Sequence, residues 1–172
     1  MVQAANYSAV EVLRDRKVEI RALRPEDQAD FVAAVERTSD QSLYRRFFGA
    51  KRSFTDQEVA FFMNVDFVNH VALIAVVEEG GRPTIAGGGR YVVVEPGKAE
   101  VAFVVVDQYQ GRGIGAALMA HLAAIARAAG LKELVAEVLP GNLPMLKVFE
   151  KSGLQPVITR EGQVVHVTLR LS

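Results

Sequence analysis

The chain has 172 residues, no cysteine, and 20 basic against 20 acidic side chains. Half of it is hydrophobic and 23% is charged, which reads as a single globular domain over residues 1–172 that buries a core without disulfide or metal. The missing cysteines exclude a disulfide framework, a cysteine-based zinc site and a cysteine nucleophile. The balanced charge speaks against nucleic acid and membrane surfaces, and no apolar run nears the roughly 20 residues of a membrane helix. The N-terminus lacks the basic start and long apolar stretch of a signal peptide, so a cytoplasmic location is expected.

Residues 1–16 read as a lead-in with a few apolar positions, Val10, Val12 and Leu13. Val18, Ile20 and Leu23 mark a short strand. Arg24-Pro25-Glu26-Asp27 opens a helix to about Arg37, with proline in the first turn and acids toward the positive end of the dipole. Ser42 to Phe48 adds a helical turn or two. Thr55-Asp56-Gln57-Glu58 is a capping-box pattern that starts a helix ending near Asn64. Strands then begin at His70 and Thr84, joined by the hairpin signal Glu79-Gly80-Gly81-Arg82-Pro83. A turn at Glu95–Lys98 leads to Ala99–Val106, apolar on both faces except at Glu100 and therefore a central strand. A helix runs from Gly113 to Ala129 and stops at Gly130, a left-handed cap. KELVAEVL is the next strand, Pro144 to Lys151 a short helix, and two strands close the chain around Arg160-Glu161-Gly162. The order predicts an α/β (α+β) fold with a mixed sheet of about seven strands, in which consecutive hairpins are antiparallel.

The sharpest motif is Gln110-Gly111-Arg112-Gly113-Ile114-Gly115, between a buried strand and a helix. Its glycines let the backbone approach a ligand, and the N–H groups that open a helix form an anion site suited to phosphate. The same glycines would also serve a tight strand-to-helix turn. A Walker A loop is excluded, since Ile114-Gly115-Ala116 stands where Gly-Lys-Ser/Thr is required. A dinucleotide fingerprint tolerates Ala116 as its last position, but it belongs to the first strand of a parallel unit, and here the strand follows two hairpins. Glu100 is the one charged residue inside the apolar central strand. Buried, such a carboxylate is costly, its pKa rises, and it suits a general base; at the strand's start beside Pro96-Gly97 it would instead be exposed.

The glycine loop resembles the Q/R-x-x-G-x-G/A loop of GNAT-superfamily N-acetyltransferases. Asn142-Leu143-Pro144-Met145-Leu146-Lys147-Val148-Phe149-Glu150-Lys151-Ser152-Gly153-Leu154 is similar to that family's N-x-x-A-x-x-L-Y-E-K-x-G-F segment. The likeness spans about residues 18 to 170. Upstream, VLRDRKVEIRALRPEDQADF, SDQSLYRRFF and VDFVNHVALIAVV look like the acetyltransferase domain of bacterial Pat-type protein-lysine acetyltransferases. In those the domain is often fused to another, for which these 172 residues leave no room.

The resemblance implies a GNAT-like sheet with helices on both faces, and acetyl-CoA as co-substrate with no metal. Backbone groups of Val104, Val105 and Val106 would bind the pantetheine arm. Gln110 and the N–H groups of Gly111, Arg112, Gly113, Ile114, Gly115 and Ala116 would hold the pyrophosphate. Asn142 would face the cofactor arm. Glu100, ten residues before the loop glutamine, matches a catalytic glutamate. Phe149 stands where many members carry a tyrosine that protonates the departing thiolate, and phenylalanine has no proton to give. The absence of cysteine leaves direct transfer as the simplest route. The implied acceptor is a primary amine, best a protein lysine such as one on an acyl-CoA synthetase. A small amine, or a non-catalytic coenzyme A sensor, stays open, as does a monomer or homodimer.

Other residues read as structural. His121, on an apolar helical stripe, reads as a satisfied histidine. His70 and His166 have no metal-ligand spacing. Phe47, Phe48, Phe61, Phe62 and Phe67 read as core, and Arg45-Arg46 as a solvated face or an acceptor contact. Asp66 and Asn69 are further acceptor-side candidates.

Overall fold

The computed structural model describes residues 6–36, 56–138, 143–152, 154–162 and 164–171. The turns expected at Ser42 to Phe48, with Phe47, Phe48, Arg45 and Arg46, lie outside the described residues, as do Thr55 and Asn142.

The expected lead-in is instead a strand. β1 (Ser8–Leu13) pairs antiparallel with β2 (Arg16–Ala22), from Ser8↔Arg21 to Leu13↔Arg16. The turn rests on Arg14 and Asp15, whose φ angles of 50° and 68° are both left-handed, as a two-residue primed turn requires. Asn-Gly would have signalled that turn; Arg-Asp does not, which hides the strand from pattern reading. Residues of β1 alternate between exposed and half-buried, and Val10 and Val12 on the outer face are 64% and 66% exposed.

Pro25–Asp27 forms a 3-10 turn that leads into α1 (Gln28–Glu36). Asp27 fastens it: its carboxylate accepts the Arg24 N–H at 2.7 Å and a bidentate pair from Arg21 at 2.8 and 2.9 Å. The remaining elements follow as α2 (Asp56–Met63), β3 (His70–Glu79), β4 (Arg82–Glu95), β5 (Lys98–Val105), α3 (Ile114–Ala128), β6 (Glu133–Val138), α4 (Leu143–Glu150), β7 (Pro156–Glu161) and β8 (Val164–Arg170). The sheet has eight strands, one more than expected, in the order β1-β2-β3-β4-β5-β6-β8-β7. Every neighbouring pair is antiparallel except β5 with β6, whose crossover contains α3.

The glycines of β4 show what covers each face. A Cβ on Gly88 would lie 3.4 Å from the Phe31 ring of α1. On Gly89 it would lie 2.7 Å from the Phe103 ring and 3.0 Å from Leu122 of α3. Thus α1 covers one face and α3 the other, and the sheet accepts both closely only because side chains are missing there. Ile20, Leu73, Ile74, Val101, Phe103, Leu118 and Met119 are buried in one continuous core. Phe62 is buried as expected, whereas Phe61 is 41% exposed, because on α2 it faces away from the sheet-side position that Phe62 takes. No helix among the described residues is long and apolar enough to cross a membrane.

Candidate active site

β5 is paired along its whole length with β4, but with β6 only at Lys98↔Glu133, Ala99↔Leu134 and Glu100↔Val135. Beyond Glu100 the two strands separate, so Glu100 stands at the last rung of a fork and the edge of β5 from Val101 onward faces a cleft. Strand alternation decides which backbone groups point into it. The Val106 N–H donates to the Ala86 carbonyl at 2.8 Å, toward β4. Val104 and Val106 therefore turn their hydrogen-bonding groups to β4, while Phe103 and Val105 turn theirs to the cleft. The Val105 carbonyl accepts from Gln110 Nε2 at 3.2 Å. The expected trio Val104–Val106 thus contributes one backbone edge position, Val105, and Phe103 joins it unannounced. The side chain of Phe103 packs on the α3 side of the sheet, edge-on to the buried Phe149 ring of α4 at 6.0 Å.

After Val106, a 3-10 turn at Asp107–Tyr109 delivers the chain to the loop that opens α3. Gly111 and Gly113 have φ of 75° and 88°, a region costly for any residue with a Cβ. Gly113 is the N-cap and supplies no side-chain hydrogen bond. The first intrahelical bond closes from the Ala117 N–H to the Gly113 carbonyl at 3.0 Å. The N–H groups of Ile114, Gly115 and Ala116 precede it, aligned with the positive end of the helix dipole beside exposed Gly111 and Arg112. Such an arrangement can accept an anion such as phosphate.

Gly115 serves a different purpose. A Cβ there would lie 2.9 Å from Val148 Cγ2, so α4 packs on α3 through this position. Valine has one strongly preferred rotamer in a helix and yields poorly. Gly115→Ala is expected to cost about 1–3 kcal/mol of stability, seen in denaturant unfolding, and adding Val148→Ala should recover part of it.

On the opposite face, Glu100 is buried beside Ala102 and Val104 and shares a cross-strand row with Val92 and His70. One rung away lies Arg90, fully buried, its guanidinium 5.3 Å from the Phe31 ring and 5.2 Å from the Phe62 ring. Arg90 Nη1 donates to the Phe62 carbonyl at 2.9 Å and to His70 Nε2 at 2.8 Å. Burial and then the Arg90 charge push the His70 pKa down to about 4, so the ring is neutral and accepts. Burial alone pushes Arg90 down to about 9. This cluster ties α1 and α2 to the face that carries Glu100. Sequence reading missed it; the only signal is an arginine inside an otherwise apolar strand.

His121 and Asp66 have structural partners. His121 hydrogen-bonds the Tyr7 hydroxyl through Nδ1, with Glu11 Oε1 3.4 Å from its Nε2. Asp66 Oδ1 accepts the N–H groups of Val68, Asn69 and His70 at 2.8–2.9 Å, which holds its carboxyl below the ordinary range and makes it the cap of a loop. No group of three or more potential metal ligands occurs among the described residues.

The comparisons agree with this geometry. The sequence model of the Acetyltransferase (GNAT) family matches residues 31–154. An acetyltransferase of Pseudomonas aeruginosa is 35% identical over 127 residues, which cover 73% of this chain and 68% of that protein. Acetyltransferase Pat of Mycolicibacterium smegmatis is 35% identical over 117 residues, 67% of this chain; the chain spans only 34% of that relative's length. The crystal structure of the GNAT domain of S. lividans PAT superposes with a TM-score of 0.82 at 36% identity, covering 95% of this chain and 96% of that one. The match to this family model, together with the close superposition on a GNAT domain, makes the chain an N-acetyltransferase. The chain belongs to the GNAT acetyltransferase family.

Proposed function

We propose that this protein transfers the acetyl group of acetyl-CoA directly to a primary amine, with a protein lysine as acceptor. The observation that carries the reading is the fork: β5 leaves β6 at Glu100, and its open edge runs down to the cradle that opens α3. The residues fit the co-substrate. The pantetheine amides would pair with the edge at Phe103 and Val105 as a strand would, and the N–H groups from Gly111 to Ala116 would hold the pyrophosphate. The lysine acceptor is supported by the Pat relatives.

In the proposed step, Glu100, directly or through a water, takes a proton from the substrate ammonium. The freed amine attacks the thioester carbonyl, whose oxygen is polarised by a strand N–H, best that of Val105. The C–S bond then breaks, the thiolate leaves with the electron pair, and the nitrogen gives up its second proton to solvent as the amide forms. A thiolate of pKa about 8.5 departs readily at neutral pH, so Phe149 is no obstacle to turnover; solvent supplies the final proton. Because no covalent enzyme intermediate forms, holding the two reactants together supplies much of the rate.

Calorimetric titration with acetyl-CoA, followed by thiol release in the presence of lysine peptides and small amines, tests the reading. Saturable binding and thiol release with lysine peptides are expected. Absence of binding would overturn it. Binding without thiol release toward any amine would favour a coenzyme A sensor, the reading that Phe149 suggests.

A further inference from the structure

The β1–β2 hairpin lies outside residues 31–154, the span that the family model matches. It nevertheless meets the glycine loop and the helix that follows it at two points, and the residue just before the hairpin adds a third. Leu13 Cδ2 is 3.9 Å from where a Cβ on Gly113 would stand, at the N-cap of α3. Arg16 Nη1 donates to Glu79 Oε1 at 2.7 Å, and the hydroxyl of Tyr109, one residue before the loop glutamine, donates to the same oxygen at 2.9 Å. The Arg16 guanidinium also lies 5.7 Å from the Tyr109 ring centroid. Two turns into α3, the Tyr7 hydroxyl bonds His121 Nδ1, with the two rings edge-on at 5.5 Å. The half-buried face of β1 thus follows α3 from its N-cap inward. Glu79 ties the end of β3 to the same corner, its carboxyl held below the ordinary range first by the Arg16 hydrogen bond and then by that of Tyr109, with Arg112 of the loop adding to the pull.

We propose that the β1–β2 hairpin is a latch on the phosphate cradle, with Arg16 and Glu79 as positioning residues that fix Tyr109 and hence the loop that receives the coenzyme. The inference rests on the reading of that loop as the acetyl-CoA site. The Gly111–Gly113 backbone is permissive, and the hairpin braces the chain on either side of it, at Tyr109 before it and at Gly113 where it ends. The Arg16 and Glu79 side chains are 36% and 41% exposed, so the pair contributes little to global stability. A fixed loop, by contrast, spares the coenzyme the cost of ordering it.

The test measures acetyl-CoA affinity and steady-state kinetics for wild type, Arg16→Ala, Glu79→Ala and the charge swap Arg16→Glu/Glu79→Arg. The single variants should raise the coenzyme Kd and KM by about threefold to tenfold. Their kcat, amine KM and melting temperature should stay close to wild type, and the swap should restore most of the affinity. An unchanged coenzyme Kd in the folded single variants would overturn the latch while leaving the coenzyme reading intact. Equal losses in coenzyme and amine KM would overturn it too, because a general loosening would then explain them. A wild-type protein that fails to bind acetyl-CoA would instead overturn the coenzyme reading itself.

Discussion

Glu100→Gln is expected to lower kcat for the proposed acetylation of lysine by roughly 10²–10⁴-fold while the Kd for acetyl-CoA stays at its wild-type value. Glutamine keeps the shape and hydrogen-bonding reach of the side chain but cannot take a proton. The magnitude follows from the acceptor. With a lysine pKa of about 10.4, only about one amine in 2,500 is unprotonated at pH 7, so a base that removes the proton in place is worth about 10³-fold. The sign of the pH dependence follows as well. Each pH step upward multiplies the free amine about tenfold until the lysine pKa is reached, so the deficit of the variant should shrink steadily between pH 7 and 10. Thiol-release rates across that range decide the matter. A variant as fast as wild type at pH 7, or a deficit that does not change with pH, would remove Glu100 from the proton-transfer role. The buried position of Glu100 at the last rung of the β5–β6 ladder is what distinguishes it from the other acids of the described strands, which are half-buried or exposed.

How much of this was readable in advance depended on whether a residue's role is written in its own backbone. Gly111 and Gly113 were legible because left-handed backbone demands glycine and periodicity placed the helix directly after them. The central position of β5 was legible from its apolar run, and Gly130 as a helix stop from its place after Ala129. β1 was not, because Arg14 and Asp15 adopt a turn that glycine or asparagine ordinarily announces. The free edge of β5, proposed for the coenzyme arm, was only half legible: a run of valines marks the strand but not its hydrogen-bonding parity, which is read from the bond of Val106 to Ala86. Gly115 looked like part of the phosphate loop, and it is also the contact that seats α4 on α3. Arg90 was invisible, since nothing local shows that two phenylalanines 59 and 28 positions upstream will sandwich it.

Arg90→Ala is expected to destabilise the protein by about 3–5 kcal/mol, lowering the melting temperature by roughly 10 °C. Two costs add. The guanidinium fills the space between Phe31 and Phe62, and its removal leaves a cavity among rings that cannot close on an alanine. It also deprives the Phe62 carbonyl and His70 Nε2 of a donor at a buried position. Arg90→Lys should not rescue, because one ammonium cannot lie flat against two rings while serving both acceptors. The cluster also sets a pH limit on stability. Folded His70 stays neutral down to about pH 4, whereas in the unfolded chain it takes up a proton near 6.5. Between those values the unfolded state binds more protons. Stability is therefore full above about pH 6.5 and falls as the pH drops toward 4, by up to about 1.4 kcal/mol per pH unit. Removing Arg90 removes one of the two forces that hold His70 neutral, so the variant should start lower and show a shallower loss across that window. Melting curves of both proteins from pH 4 to 8 test this, and equal melting temperatures with parallel pH profiles would show that the cluster does not anchor the helices. Because those helices cover the face that carries Glu100, the anchor bears on chemistry as well as stability. A folded Arg90 variant, assayed well below its melting temperature, should lose amine affinity while its binding of acetyl-CoA, proposed for the free edge of β5 and the opening of α3, is retained.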